Sequence, residues 1–343
     1  MGRTWNPNME IKPTPPHDAK NRYLKKKRSH VSEKTLKNYT TALKRFLEFL
    51  DERGIDDMGD VDSDEIVRFE SWRLDSVKPI TCRNDMRTVK NFIQFCETIQ
   101  AVPVGLHELI VPTKVSEDDE ICDDVLTRQE ATDILEYLDK FEYASTRHVT
   151  LRILWKTGMR LGGLRSLDLK DFDPSRPALE LCHRPESRTP LKQKERGQRD
   201  VIIDWDTADI ITDYINETRP DTEDRFGRSP LLASREGRLA TTTIQKNVYT
   251  ATRPCIYNGE GCPFGEDPES CEAMRFDQAN KCPGSVSPHA LRRGYVTAAR
   301  NAGQPKDVTG DRVNMGGKIL DKHYDKGSYD EKAQRRKDYL KDI

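Results

Sequence analysis

His289 and Arg292 stand three residues apart in Ser287-Pro288-His289-Ala290-Leu291-Arg292-Arg293-Gly294, and Tyr324 follows in His323-Tyr324-Asp325. Pro288 suits the first turn of a helix, because its fixed φ is already helical and its missing N–H is not needed there. The spacing then puts His289 and Arg292 on one helical face. Side by side they can donate to two oxygens of one phosphate, with the guanidinium supplying a planar fork. Tyr324 follows a weak helical period of Ile319, Leu320 and His323 after the Gly316-Gly317 break. A phenol brought to a clamped phosphate is a nucleophile suited to a phosphodiester. Taken alone, such a His-x-x-Arg pair is ordinary helix-surface chemistry.

A third element far upstream changes that reading: Thr157-Gly158-Met159-Arg160-Leu161-Gly162-Gly163-Leu164-Arg165-Ser166-Leu167. With His289-x-x-Arg292 and Tyr324, it resembles the tyrosine recombinase (phage integrase) family in residue type, order and spacing, and in particular the integrases of halophilic archaea and their viruses. The resemblance covers the C-terminal half directly and the N-terminal half only in its helical character. It implies a fold that is mainly α with a small antiparallel β-sheet, in which a helical core-binding domain precedes an α+β catalytic domain. It implies that Tyr324 attacks a scissile phosphate, leaving a 3′-phosphotyrosyl link and a free 5′-hydroxyl. Arg160 and Arg292 then neutralise the phosphate oxygens, and His289 bonds the phosphate or handles a proton. Neither ATP nor a catalytic metal is required. The implied partner is double-stranded DNA bearing a specific core site, bound by a homotetramer whose free form is a monomer. Two departures stand out: Gly163 occupies a place where the family often has an acid, and Met315 a place where it usually has a second His or a Trp. Arg312 or Asn314 could replace that donor. Tyr295 and Tyr329 are rival tyrosines, the first read as core and the second lacking the flanking pattern.

Stepping outward, a chain of 343 residues has room for two domains. The formal charge of −1 gives no global sign of a nucleic-acid binder, so any basic surface must be local. No apolar run approaches membrane-spanning length and no signal-peptide core is present. Asn6 stands where a myristoylation motif wants Ser or Thr. A cytoplasmic protein is expected, with its eight cysteines as thiols or metal ligands.

Residues 1–30, Pro-rich and then basic through Lys25, Lys26, Lys27 and Arg28, read as a flexible arm able to lie along phosphates, or as a solvated tail. Residues 31–112 read as a helical DNA-binding domain. Ser32 caps a helix to about Arg53, with further helices over about Asp62–Asp75 and Pro79–Ile99. Lys37, Arg83, Arg87 and Lys90 fall off their apolar stripes and suit a duplex backbone. Residues 113–124, with the acidic cluster from Glu117 to Glu120, are the linker, and 125–343 the catalytic domain. Thr127-Arg128-Gln129-Glu130 is a capping box. Ala178–Cys182 and Arg199–Ile203 read as paired strands joined by a long loop carrying Lys192, Lys194 and Arg196. The resemblance places a catalytic lysine there: Lys194 by counting back from Arg199, with Lys192 open. Arg293 adds a DNA-binding charge. An insertion, 254–285, holds Cys255, Cys262, Cys271 and Cys282 among Pro and Gly turns with few large apolar residues. Structural zinc on four thiolates would stabilise it, and reduced free thiols are the alternative. Cys82, Cys96, Cys122 and Cys182 read as small core residues.

Overall fold

The computed structural model describes residues 10–116 and 124–337. The acidic cluster 117–120, Cys122 and the side chain of His323 lie outside the described residues. The chain divides into two compact units, Met1–Cys122 and Asp123–Ile343, and is mainly helical with two small antiparallel sheets.

In the first unit Ser32 caps α2 (Glu33–Glu52), accepting from the Thr35 amide at 3.1 Å. With α3 (Ser63–Leu74), α4 (Pro79–Thr98) and the short α5 (Leu106–Leu109) it encloses a core of Leu43, Phe46, Leu47, Phe69 and Phe92. Val67, grouped with the apolar residues of its helix in the sequence, is instead exposed. The flexible arm expected over 1–30 needs a larger correction. Pro16–Lys27 forms a helix, α1, whose Ala19 and Tyr23 are fully buried in that core. Tyr23 meets the Phe92 ring edge-on, with centroids 5.6 Å apart. Pro16 starts the helix, Asp18 lies in its first turn and Lys25–Lys27 in its last, so both ends complement the helix dipole. Its buried residues are Pro16, Ala19 and Tyr23, and with a proline and an alanine among the three the apolar period is too weak to register.

The second unit opens on the predicted capping box. Thr127 Oγ1 accepts from the Glu130 amide at 3.2 Å, and the Glu130 carboxylate accepts the Thr127 amide at 2.8 Å. This box starts α6 (Arg128–Phe141). The next helix, α7 (Thr146–Thr157), is central, with Val149, Leu151, Ile153 and Leu154 all buried. A helix enclosed on every side shows no polar face, which is why its amphipathic signal is weak. Then come α8 (Leu161–Ser166) and a three-stranded antiparallel sheet, β1 (Phe172–Asp173), β2 (Ala178–Leu181) and β3 (Arg199–Ile202). In its register Leu181 opposes Arg199. Helices Trp205–Asp213 and Thr241–Ala251 flank a two-stranded hairpin, Ala233–Ser234 with Gly237–Arg238. The 254–285 insertion contains only short helical turns. The unit closes with helices Pro288–Asn301, Lys306–Val313, Gly317–His323 and Tyr329–Lys337. No helix among the described residues is long and apolar enough to cross a membrane.

A buried ionic network, not foreseen from the sequence, braces α8. Asp168 and Asp171 are 2% and 3% exposed. Arg184 holds Asp171 through two bonds of 2.6 Å, and Arg228 reaches Asp168 at 2.6 Å. Arg238 bridges Asp168 and Asp224. Arg238 also donates to the carbonyls of Arg165 at 2.8 Å and Leu167 at 3.1 Å, and Arg228 to that of Ser166 at 3.2 Å. Cations on the otherwise unpaired carbonyls of a helix end are favourable, and here they fix the far end of the helix that begins after Arg160.

Candidate active site

Arg160 is delivered by a stop and a restart. Gly158 ends α7 in the left-handed region, at φ +59°, and Arg160 caps α8 with extended backbone. Glycine is needed at 158 twice over. Besides the positive φ, a Cβ there would stand 2.2 Å from Cδ1 of Tyr295 on the Pro288–Asn301 helix. The freed Gly158 carbonyl accepts from Arg292 Nη1 at 2.7 Å. One residue thus joins the segments that carry both arginines.

Ser287 caps the Pro288–Asn301 helix, with Pro288 in its first turn as the sequence predicts. His289 and Arg292 share a face, and Tyr324 is brought against both. Its phenol oxygen lies 2.7 Å from His289 Nε2, and the Arg292 guanidinium lies 5.3 Å from its ring centroid. Tyr324 is 7% exposed and packs with Val296, Val313, Met315 and Leu320. Thr297 steadies the following turn, donating to the Tyr324 carbonyl at 3.2 Å and accepting the Lys326 amide at 2.9 Å.

The electrostatics of this cluster are one-sided. Arg292 is 1% exposed, its Nη2 donates to the Val313 carbonyl at 2.8 Å, and its buried Nε has no hydrogen-bond partner among the described residues. Burial and then the charge of Arg160 push it down to about 10. Loss of solvent around the His289 imidazole, followed by the charges of Arg293, Arg292 and Arg160, pushes it down to about 4. At neutral pH the ring is therefore uncharged, so Nε2 can accept the proton of the phenol beside it.

Lys192 and Lys194 are both exposed, on a connection that is packed rather than loose. Leu191 and Gly197 are buried, and an Arg184–Thr189 bridge closes the segment near its start. Lys194 adopts a left-handed φ of 53° at the start of a short helical turn. Gln193 donates to the Asn314 carbonyl at 3.4 Å, and the Asn314 amide donates to the Arg196 carbonyl at 3.4 Å. The lysine loop is thereby docked on the turn before Met315. Geometry does not choose between the two lysines.

The two residues expected to replace the missing family donor are tied to backbone carbonyls, as Arg160 and Arg292 are. Arg312 donates to the carbonyls of Lys156 and Ile202, and Asn314 to that of Arg196. Met315 is a packing neighbour of Tyr324. At Gly163 a Cβ would meet only Leu181 and the Met159 sulfur, an apolar setting for any carboxylate. Arg293, expected on DNA, is 8% exposed and donates to the Asp124 carbonyl at 2.8 Å, because one step along the helix from Arg292 turns it away from that face. Of the rival tyrosines, Tyr295 packs in the interior and Tyr329 is 82% exposed. In the first unit Lys25, Lys26, Arg28, Lys37 and Arg87 are exposed, with Lys26 lying over the Phe95 ring. Lys27 and Arg83 are half-buried, and Lys90 is tied to the Ile110 carbonyl at 2.9 Å.

Of the insertion cysteines, Cys282 is buried and Cys255, Cys262 and Cys271 are half-buried. Burial raises the Cys255 thiol, and Cys262 and Cys282 nearby raise it further. The four form no tight three-ligand group among the described residues; that arrangement occurs instead at Asp171, Glu180 and Cys182, where Asp171 is already paired with Arg184. Cys82 and Cys96 are core residues as expected, and Cys182 is half-buried.

Arg160, His289, Arg292 and Tyr324 thus come together in the second of two units, and the comparisons show what this arrangement of elements is similar to. The phage integrase N-terminal SAM-like domain matches residues 21–98. Tyrosine recombinase XerC of Chlorobaculum tepidum is 32% identical over 215 residues, 55% of this chain and 60% of that protein. The chain therefore matches less than two thirds of that relative's length. A lambda integrase dimer bound to a COC' core site has the same fold, with a TM-score of 0.63 at 15% identity over 92% of this chain and 79% of that one. The Tn1549 transposon integrase in complex with transposon right end DNA gives 0.62 at 14% identity over 94% and 99%. The chain is thus similar to the phage integrase N-terminal SAM-like domain over residues 21–98 and to a tyrosine recombinase over a little more than half of its length.

Proposed function

We propose that this protein is a site-specific DNA recombinase, the integrase of a virus or other mobile element, acting on a specific core site in double-stranded DNA as a homotetramer. The observation that carries the reading is the Tyr324 phenol 2.7 Å from His289 Nε2 and beside the buried Arg292. In the reaction the Tyr324 oxygen bonds to phosphorus and the bond from phosphorus to the 5′-oxygen breaks. His289 takes the phenolic proton, and Lys194 or Lys192 supplies one to the leaving 5′-oxygen. Arg160 and Arg292 stabilise the charge that develops on the non-bridging oxygens. The 5′-hydroxyl of a second strand then reverses the step on a new partner. One phosphodiester replaces another, so bond energy is conserved and no ATP is consumed.

The test is a duplex nicked beside the cleavage position, so that the released fragment diffuses away and the adduct is trapped. Wild-type protein should join covalently to a 3′ DNA end, and Tyr324→Phe should abolish the adduct while leaving DNA binding intact. Adducts that survive Tyr324→Phe overturn the assignment. A second reading, a DNA-binding regulator that has lost cleavage, is favoured by Gly163 and Met315; it requires wild-type protein to bind the same duplex without ever forming an adduct.

We propose also that Cys255, Cys262, Cys271 and Cys282 hold one structural zinc ion. The supporting argument is chemical: four soft donors lie in an insertion whose buried apolar residues amount to Ala273, Ala279 and Cys282. Elemental analysis of protein purified without chelator should give one zinc per chain, and Cys282→Ser should lose it and lower the melting temperature. Metal-free protein with an unchanged melting temperature in chelator overturns the assignment.

A further inference from the structure

The turn before Met315 offers three successive carbonyls, and each receives a different arginine. Arg199 Nε donates to the Arg312 carbonyl at 3.2 Å, Arg292 Nη2 to that of Val313 at 2.8 Å, and Arg160 Nη1 to that of Asn314 at 3.1 Å. Two of the three are the arginines already assigned to the phosphate. Arg199, the first residue of β3, is half-buried, and its Nη1 is tied to the Gly197 carbonyl at 3.0 Å. Its Nη2 makes no hydrogen bond among the described residues, and none of the three guanidinia is paired there with a carboxylate. We propose that Arg199 is a third phosphate-binding guanidinium, which supplies the positive charge that the site lacks at Met315.

The physical case is one of unbalanced charge. Three guanidinia held together in a half-dry site repel one another, and neutral carbonyls orient them without cancelling that repulsion. Two of them feel their neighbours: after burial, Arg160 and Arg312 act on Arg199, and Arg160 and Arg199 on Arg292. Elsewhere in this unit Arg184, Arg228 and Arg238 are matched by Asp168, Asp171 and Asp224, while the buried Arg253 and Arg293 are held singly by carbonyls, not as a group of three. A phosphodiester, gaining negative charge as it becomes pentacoordinate, is the counter-ion that fits. The inference rests on the recombinase reading and extends it to a residue outside the family's motif.

The experiment measures single-turnover adduct formation on a nicked duplex. A pool randomised across its core first identifies a duplex that wild type captures, together with its cleavage position. That duplex is then resynthesised with either the natural phosphate or a neutral methylphosphonate at the scissile position. Arg199→Ala is expected to slow cleavage of the phosphate by about 10²–10³, the scale of a lost oxyanion donor, with DNA affinity changed far less. On the methylphosphonate, where there is less charge to neutralise, the deficit should shrink to within about tenfold of wild type. Arg199→Lys, which keeps the charge and guards against loss of fold, should recover part of the rate on the phosphate. Equal deficits of Arg199→Ala on both substrates make Arg199 merely structural and overturn the proposal, as does wild-type speed. If wild-type protein captures no duplex from the pool, the recombinase reading falls and this assignment with it.

Discussion

His289 sits next to the Tyr324 phenol and near three positive charges, so its proton affinity is set by its surroundings. The folded ring titrates near about 4 and an ordinary histidine near 6.5. Between those values the unfolded chain holds the proton and the folded chain does not. Stability contributed by this residue is thus complete above pH 6.5 and is lost as pH falls towards 4. An NMR titration of the imidazole in DNA-free protein should show a midpoint well below 6.5, and Arg293→Gln should raise it. A midpoint at 6.5 in wild type would mean that the arginines do not act on the ring. At this scale the sequence was informative where a motif carried the residue. Arg160, His289, Arg292 and Tyr324 could be picked out by type and order. Arg199 could not, because an arginine opening a strand looks like any edge charge until the turn 110 or more residues away is folded against it. The contacts of Arg312 and Asn314 were hidden for the same reason: their partners are backbone carbonyls, which leave no trace in residue type.

At the scale of elements, local chemistry made caps and strand pairs legible. Ser32, Thr127 and Ser287 all accept the amides expected of them. Helix α1 was missed because its buried face, Pro16, Ala19 and Tyr23, holds a single large side chain, too little to set an apolar period. The ionic brace around α8 was missed because Asp168 finds Arg228 and Arg238 at separations of 60 and 70 residues. That brace gives an element-scale prediction. Asp168→Asn keeps the shape and removes the charge that faces two buried arginines, leaving them uncompensated. Chemical denaturation should show a loss of about 3–5 kcal/mol, the usual range for breaking a buried pair from one side. A change below about 1 kcal/mol would show that the arginines are satisfied by the helix-end carbonyls alone.

Across the whole molecule, the two largest hydrophobic cores among the described residues are built from separate stretches of chain, one centred on Phe46, Phe69 and Phe92 and the other on α7, with a small third cluster around Tyr324. Unfolding is then not expected to be a single two-state event. The Asp168→Asn loss should be confined to the transition of the second unit, and tryptophan fluorescence can separate the units, with Trp72 reporting the first and Trp155 the second. Formal charge near zero likewise conceals an uneven distribution, because the arginines of the site lack carboxylates while those of the brace do not.

Gly158 ties these scales together. Its carbonyl steadies one arginine, its backbone bend aims another, and the hydrogen it carries in place of a methyl group lets the Tyr295 ring lie flush against the chain. The packing around Tyr324 therefore depends on the absence of a single carbon atom at position 158, where the Tyr295 ring fills the place a Cβ would take. Any larger residue would wedge apart the segments that carry Arg160 and Arg292, without altering either arginine, His289 or Tyr324.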